Sequence, residues 1–126
     1  MRLLLDTHLF LWAMANDSRL PTAARQLMEE AGEVNVSAAS IWEIAIKARI
    51  GKLKADAGHL AENIEDSGFV ALPVTARHAA GVAHLPDHHT DPFDRLLVAQ
   101  ATVEPLILLT VDRQLAAYGD LVMLLQ

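Results

Sequence analysis

Short apolar runs that alternate with helical segments constrain the fold of this chain more than any other feature of its sequence. Such runs are long enough for a buried strand and too short for a helix. When strands alternate with helices, each connection crosses back over the sheet, so neighbouring strands are parallel and helices cover both faces. We therefore predict an α/β fold with a central, mostly parallel sheet of about five short strands, at residues 2–5, 34–36, 69–72, 106–109 and 121–125.

Capping residues and helix-breaking residues divide the rest of the chain into helices. Ser37, Thr75 and Asp91 are typical N-caps, and Pro92 is tolerated at the first position of a helix. Glycines follow several of the helical segments, as they often do where a helix ends. The predicted helices are residues 8–15, 22–31, 38–50, 57–67, 75–84, 91–103 and 112–118.

Composition narrows the class of protein. The 126 residues fit one domain, 1–126, and 52% of them are apolar, which is ample for a hydrophobic core. The absence of cysteine excludes disulfides, zinc–thiolate sites and thiol catalysis. No signal peptide or membrane-spanning run is recognisable, so we expect a cytoplasmic protein with no membrane partner. The net charge of −6 argues against a broad basic face for nucleic acid, but not against acids gathered around a cation.

Four acids lie where a parallel sheet would bring them to one edge. Ligands of such sheets bind outside the carboxyl ends of the strands. Asp6 directly follows the first predicted strand, and Asp112 lies three residues past the fourth. Asp94 lies in the first turn of the helix that leads to the fourth strand, and Glu43 lies about two turns into the helix after the second. We expect these four carboxylates to lie close together.

Each of these acids also has an ordinary structural explanation. Asp6 and Asp112 suit the caps of the helices that follow them, and Asp94 suits the positive end of a helix dipole. Glu43 and Lys47 have the spacing of an exposed ion pair on one helix. The apolar neighbours of Glu43 argue instead that its carboxylate is partly buried, and a buried acid needs a partner.

A cation would be a partner for the whole group of acids. Converging carboxylates repel one another and raise each other's pKa values unless a positive charge lies among them. Oxygen ligands without thiolates favour a hard ion, either Mg²⁺ or Mn²⁺. Such an ion activates water and shields the charge of a phosphodiester during in-line displacement. Metal-assisted chemistry of this kind depends on the assumed fold, which brings the four acids together; their spacing alone does not establish it.

Four segments of the chain, taken in order, resemble the PIN-domain ribonucleases, and in particular the VapC-type toxins of bacterial toxin–antitoxin pairs. These segments are Leu3–His8, Ser37–Glu43, His89–Arg95 and Leu109–Asp112. The resemblance implies a single PIN-like domain and a Mg²⁺-dependent endoribonuclease that hydrolyses RNA. In such an enzyme the catalytic, metal-binding acids would be Asp6, Glu43, Asp94 and Asp112.

The same resemblance implies further roles and partners. Thr110 matches the hydroxyl residue beside the last acid, and it is included among the catalytic residues. Asp91 is assigned to helix capping and Asp94 to the metal, although both lie in one turn and their roles could be exchanged. The expected partners are an RNA substrate, a cognate antitoxin and a second copy of the chain in a homodimer.

One dense basic stretch, Lys47, Arg49, Lys52 and Lys54, begins one turn from Glu43. A solvated helix face is its ordinary explanation. In an acidic chain that resembles a ribonuclease, this stretch is also a candidate track for RNA phosphates. Arg95 is a further candidate, because it lies one residue past Asp94 and could pair with an active-site acid or contact phosphate.

The histidines and tryptophans each allow two explanations. The sequence Asp87-His88-His89 resembles part of a transition-metal cluster, but adjacent histidines in a loop seldom converge on one ion. His89 belongs to a PIN-like segment, where it would orient the loop or contact substrate. We expect Trp12 and Trp42 in the core, since that is where tryptophans more often lie; an exposed Trp12 would indicate a groove for a partner.

Two other functions are alternatives to a nuclease. A receiver-like, Mg²⁺-binding signalling domain would need paired acids after the first strand and a lysine after the last. Asp6 stands alone, and no lysine follows Lys54. A catalytically silent PIN-like domain would only bind a partner, and the presence of all four acids argues against that alternative.

Overall fold

A five-stranded sheet, with strand order β3-β2-β1-β4-β5 and every neighbouring pair parallel, forms the centre of the computed structural model, which describes residues 1–125. The predicted α/β class and the number of strands are confirmed. The strands are β1 (Arg2–Leu5), β2 (Glu33–Ser37), β3 (Val70–Leu72), β4 (Ile107–Thr110) and β5 (Val122–Leu124).

The helices lie close to the predicted segments. They are α1 (Thr7–Met14), α2 (Thr22–Glu30), α3 (Ala38–Arg49), α4 (Ala57–Glu62), α5 (Ala76–Gly81), α6 (Pro92–Val103) and α7 (Arg113–Ala116). A short 3₁₀ turn, Val82–His84, follows α5. The largest difference is in the segment 57–67, for which the sequence pattern predicts one helix. There α4 ends at Glu62, and turns continue to Gly68, whose φ of +89° is accessible to glycine.

The strand order changes direction beside β1. Leu3 in this strand pairs with Val34 of β2 on one side and with Ile107 of β4 on the other. The chain builds outward from β1 to β3 and then returns to the other side of β1 to form β4. In open parallel sheets, such a change of direction leaves a crevice at the carboxyl ends of the two strands. Asp6 and Thr110 lie at those ends.

Hydrophobic side chains fill both faces of the sheet, because alternate residues of a strand point to opposite sides. Leu3 and Leu5 belong to the cluster that packs against α1 and α3, whereas Leu4 belongs to the cluster that packs against α6. All three leucines are fully buried. This burial on both faces explains why Leu3 to Leu5 form an uninterrupted apolar run. None of the helices within residues 1–125 has the length and hydropathy that a bilayer crossing requires.

The two tryptophans differ from the prediction that both lie in the core. Trp12 is half-buried against the first cluster, and the Arg19 guanidinium lies 5.5 Å from its ring centre. Trp42 is 59% exposed, so its prediction was wrong. The buried face of α3 carries Ser40, Glu43 and Ile44, which leaves residue 42 on the outer face.

Candidate active site

Asp6 lies at the carboxyl end of β1 and is only 4% exposed. Its Oδ1 accepts a hydrogen bond from the Leu9 backbone N–H at 2.8 Å, so it caps α1. Its Oδ2 accepts from the Thr110 hydroxyl at 2.5 Å. Burial raises the pKa of Asp6 against these two hydrogen bonds, and the nearby Asp112 carboxylate adds to the rise. Asp6 therefore both caps α1 and lies at the carboxyl end of a strand, where the site was predicted.

Thr110 links Asp6 to Asp112. Its hydroxyl donates to Asp6 and accepts from the Asp112 backbone N–H at 3.0 Å. The Asp112 side chain caps α7 through Oδ1, which accepts from the Gln114 N–H at 2.9 Å. The hydroxyl at the end of β4 thus fixes both the carboxylate of one acid and the backbone of another.

Asp91 and Asp94 occupy different positions in the first turn of α6. Asp91 Oδ1 accepts from the backbone N–H groups of Phe93, at 2.8 Å, and Asp94, at 3.0 Å, as a helix cap does. Asp94 Oδ2 instead lies 3.2 Å from His89 Nε2. The two acids of this turn are therefore distinct in their contacts, with the cap on Asp91.

The surroundings of Asp94 are strongly acidic. The pKa of Asp94 is raised to about 7, first by burial and then by the carboxylates of Asp91, Glu43 and Asp6, while His89 acts in the opposite direction. The positive end of the helix dipole would lower the pKa of an ordinary first-turn acid. Since the pKa rises instead, Asp94 differs from the simple dipole-stabilised acid that was the alternative explanation.

Glu43 is 4% exposed and has two partners on opposite oxygens. Its Oε1 accepts from the Thr7 hydroxyl at 2.7 Å, and its Oε2 lies 2.5 Å from Lys47 Nζ. The predicted burial of this carboxylate is confirmed. The pair with Lys47 also forms, but its acidic member lies in the protein interior. The raised pKa of Lys47 arises first from the hydrogen bond with Glu43.

His89 brings two of the acids together. Its Nε2 lies 3.1 Å from Asp112 Oδ2 and 3.2 Å from Asp94 Oδ2. These three residues each offer one ligand atom, and the three atoms all lie within 4.8 Å of one another. The neighbouring His88 is exposed and packs against Tyr118, so the adjacent histidines point to different surroundings. The sequence marked His89 as part of a motif but gave no reason to place it between two acids.

Asp6 and Glu43 have other immediate partners than this histidine. Asp6 accepts a hydrogen bond from the Thr110 hydroxyl, and Glu43 accepts one from the Thr7 hydroxyl. The negative charges of Asp6 and Glu43 nevertheless raise the pKa of Asp94. The four predicted acids therefore lie close enough to influence one another's pKa values. Their closest contacts differ: Asp94 and Asp112 lie against His89, whereas Asp6 and Glu43 are held by threonine hydroxyls.

The predicted basic residues are divided between a cleft and the outer surface. Lys47 and Lys52 line a cleft of about 230 Å³ beside Glu43, together with Thr7 and His8. Arg49 and Lys54 are exposed, and Lys54 lines the adjoining groove along α1.

Arg95 points to the loop before α6. Its guanidinium donates to the backbone carbonyls of Pro86, at 3.0 Å, and His89, at 3.3 Å, and to the Tyr118 hydroxyl at 3.1 Å. These contacts use much of the hydrogen-bonding capacity of Arg95 inside the protein. Sequence reasoning offered phosphate or an active-site acid as its partner; the acid near Arg95 is instead Asp87 of this loop, 3.6 Å from Nη1.

Comparison with known proteins defines the class. The PIN domain family model matches residues 3–121, so the chain belongs to the PIN-domain family. One relative is ribonuclease VapC22 of Mycobacterium tuberculosis, which is 34% identical over 122 residues, covering 91% of this chain and 90% of that protein. The resemblance to VapC-type PIN proteins inferred from the sequence is confirmed.

Two solved structures share the fold. The first is VapBC2 from Rickettsia felis bound to a DNA fragment from its promoter, with a TM-score of 0.70 and 15% identity over 98% of this chain and 97% of that one. The second is M. tuberculosis VapC20, described as a sarcin–ricin loop cleaving toxin, with a TM-score of 0.64 and 20% identity over 93% and 95% of the two chains. The parallel α/β architecture is therefore that of the VapC proteins.

Proposed function

We propose that this protein is a divalent-metal-dependent endoribonuclease that acts as the toxin of a toxin–antitoxin pair. The observation that carries the proposal is the group of acids beside the carboxyl ends of β1 and β4, in a chain related to a VapC ribonuclease. The proposed catalytic acids are Asp6, Glu43, Asp94 and Asp112, with Thr110 as the hydroxyl that orients Asp6. A receiver-like function is not favoured, because the family match covers nearly the whole chain.

The donor set fits a hard divalent cation. The four acids offer carboxylate oxygens, and the pKa values of Asp6 and Asp94 are raised, so their negative charges lack full compensation from the protein. Only Lys47 and His89 contact these four acids with nitrogen among the side chains of residues 1–125. We propose Mg²⁺ as the ion, with Mn²⁺ as an alternative. When bound, such an ion would activate water and neutralise charge on the phosphodiester.

The residues of the chain would divide the remaining work. Thr110 would keep the Asp6 carboxylate directed toward the crevice, because its hydroxyl holds one oxygen of that acid. Lys47 and Lys52 would receive RNA phosphates in the cleft beside Glu43. Arg49 and Lys54 would extend that contact over the exposed surface. We assign Arg95 to the support of the loop, in preference to a contact with phosphate.

Incubation of the purified protein with RNA, with Mg²⁺, Mn²⁺ or EDTA, tests the reaction. We expect metal-dependent cleavage, with 5′-phosphate and 3′-hydroxyl ends, because water is the nucleophile and the 3′-oxygen leaves. Products with 2′,3′-cyclic phosphate would contradict the mechanism, since they require attack by the substrate's own 2′-hydroxyl. A complete lack of cleavage would favour the partner-binding alternative.

Two protein partners belong to the proposal. A cognate antitoxin should inhibit cleavage when it is purified together with the protein. For a homodimer, the candidate surface is the outer stripe formed by Trp42 and Ile46 of α3 and by Ile50 at its C-cap, which are 59%, 38% and 59% exposed. Their four-residue spacing makes one continuous apolar patch, which a second copy would cover.

Light scattering at micromolar concentration tests the homodimer. We expect the mass of a dimer, and the variant Trp42→Glu should shift it to a monomer. Val74→Glu is a matched control, because Val74 is also exposed but lies outside the stripe. A strict monomer for the unmodified protein would remove the homodimer from the proposal.

A further inference from the structure

The hydrogen bond at Nδ1 of His89 determines whether its other ring nitrogen, Nε2, carries a proton or a lone pair. The backbone N–H of Asp91 donates to His89 Nδ1 at 3.1 Å. A peptide N–H is only a donor, so Nδ1 must present its lone pair to it. The proton of the neutral ring is then on Nε2, the atom that faces Asp94 and Asp112.

This tautomer is the opposite of the one that a metal-binding Nε2 requires. A histidine that binds an ion through Nε2 needs its lone pair there, and it usually donates the Nδ1–H to a carboxylate or a carbonyl. Here a donor, and not an acceptor, lies against Nδ1. His89, Asp94 and Asp112 therefore do not form a three-ligand metal site, although their side chains lie close together.

We propose that His89 is a positioning residue whose Nε2–H donates to Asp112 Oδ2 and keeps Asp94 Oδ2 beside it, 3.2 Å from the same nitrogen, and that it does not bind the metal. The inference rests on the proposed function, since it assigns a role within the proposed metal site. The Asp91 N–H fixes the tautomer. The Nε2 atom, hydrogen-bonded to Asp112 and 3.2 Å from Asp94, then sets the spacing between an acid at the start of α6 and an acid before α7.

The backbone of His89 is fixed as firmly as its ring. Its N–H donates to the Tyr118 hydroxyl at 3.1 Å, and its carbonyl accepts from Arg95 at 3.3 Å. Arg95 also donates to Tyr118, so the three residues form one connected group. Arg95 and Tyr118 thus act through His89, as supports of the loop that carries it.

Nuclear magnetic resonance of the metal-free protein tests the tautomer. Long-range ¹H–¹⁵N spectra distinguish the ring nitrogens, and the variant His89→Gln identifies the signals of this residue among the six histidines. We expect the proton on Nε2. A neutral ring with its proton on Nδ1 would overturn the proposal.

Pulsed electron paramagnetic resonance of the Mn²⁺-loaded protein tests ligation. We expect no directly bound ¹⁴N from His89, and the same nitrogen spectrum for the protein and for His89→Gln. A directly bound ¹⁴N signal that disappears in this variant would make His89 a ligand and would overturn the proposal.

Metal affinity measured by calorimetry tests the positioning role. His89→Leu loses the donor, and we expect affinity to fall by roughly 10- to 100-fold, as for other residues that orient metal ligands. His89→Gln keeps an N–H donor and should recover most of that loss. His59→Gln is the matched control and should leave affinity unchanged, because His59 is exposed on α4 and its ring lies beside Asn63, away from the acids. Equal affinity for His89→Leu and the unmodified protein would contradict the proposal.

These measurements need no RNA, so the two proposals can fail separately. Expected spectra and affinities without RNA cleavage would remove the nuclease function and keep the role of His89. Metal-dependent cleavage together with a His89 nitrogen on Mn²⁺ would keep the function and remove the positioning role.

Discussion

The acid at the end of β1 and the acids that meet at His89 are held in different ways. Asp6 is 4% exposed, and regular structure fixes it through the Leu9 N–H and the hydroxyl at the end of β4. The side chains of Asp94 and Asp112 are 21% and 39% exposed, and a histidine from a loop joins them. The sheet and the helix that follows β1 therefore fix one half of the site, Asp6. The other half, Asp94 and Asp112, depends on a loop histidine and on a positive charge to offset the repulsion between the acids.

Among the proposed substitutions, removal of an acid from either half should cause the largest loss of RNA cleavage activity. We expect Asp6→Ala and Asp94→Ala each to lower kcat/KM by on the order of 10³-fold, or about 4 kcal/mol of transition-state stabilisation, because each removes a proposed ligand. The two variants should differ in their free energy of unfolding. Asp6→Ala loses a helix cap, at a cost of roughly 1 kcal/mol, whereas Asp94→Ala relieves repulsion.

Initial cleavage rates and urea unfolding of both variants provide this test. Circular dichroism serves as the control that each variant is folded. Full activity in either variant would remove that acid from the site, and equal stability losses would remove the distinction between the two halves.

Metal binding should stabilise the folded protein. At a free ion concentration 100 times Kd, stabilisation is about 2.7 kcal/mol, which corresponds to a rise in Tm of roughly 10 °C. Asp94→Asn should give a higher Tm without metal, because it removes one charge from an acidic neighbourhood, and a smaller rise with metal. Thermal melts with Mg²⁺, Mn²⁺ and EDTA measure both effects, and an unchanged Tm at saturating metal would count against a native-state site.

Loss of the Thr110 hydroxyl should have a smaller effect, confined to the half that the sheet builds. Thr110→Val leaves the buried Asp6 oxygen without its donor, and we expect a loss of about 1–3 kcal/mol in the free energy of unfolding. Thr110→Ser keeps the hydroxyl and should recover most of the loss. Urea unfolding measures the difference. Equal stability of the two variants would show that this hydrogen bond contributes little.

The basic surface should contribute least to the reaction and mainly to RNA affinity. Lys52→Ala or Lys54→Ala should weaken binding modestly and reduce the slope of log K against log salt by about 1 for each RNA phosphate that the variant no longer binds. Fluorescence anisotropy with labelled RNA in a salt series measures that slope. Arg77→Ala, on the exposed surface of α5, is the control. An unchanged slope in both lysine variants would remove the proposed track.

The sequence predicted most of the fold because the signals for its elements are local. Apolar runs bounded by glycine and proline mark the strands, and Ser37 and Asp91 mark the starts of α3 and α6 through caps that depend on adjacent residues. The burial of Glu43 was also predictable from its apolar neighbours. The end of α4 was not, since only tertiary packing decides where a weak helix changes to turns.

The contacts within the site depended on tertiary structure. His89 and Asp112 are 23 residues apart, and nothing in the intervening sequence indicates that Nε2 would meet that carboxylate. Arg95 was assigned by its charge, whereas its partners are carbonyls of a loop whose path is fixed only in the folded chain. Trp42 was placed by residue type, and the choice of buried face on α3 overrode that tendency.

The hydrogen bond between Thr110 and Asp6 spans 104 residues of sequence. β1 precedes β4, its neighbour on one side, and six α-helices and two strands lie between them in the chain. A fragment that stops before residue 110 therefore lacks the Thr110 hydroxyl and the Asp112 carboxylate of the acidic crevice. Long-range pairing of this kind also slows folding.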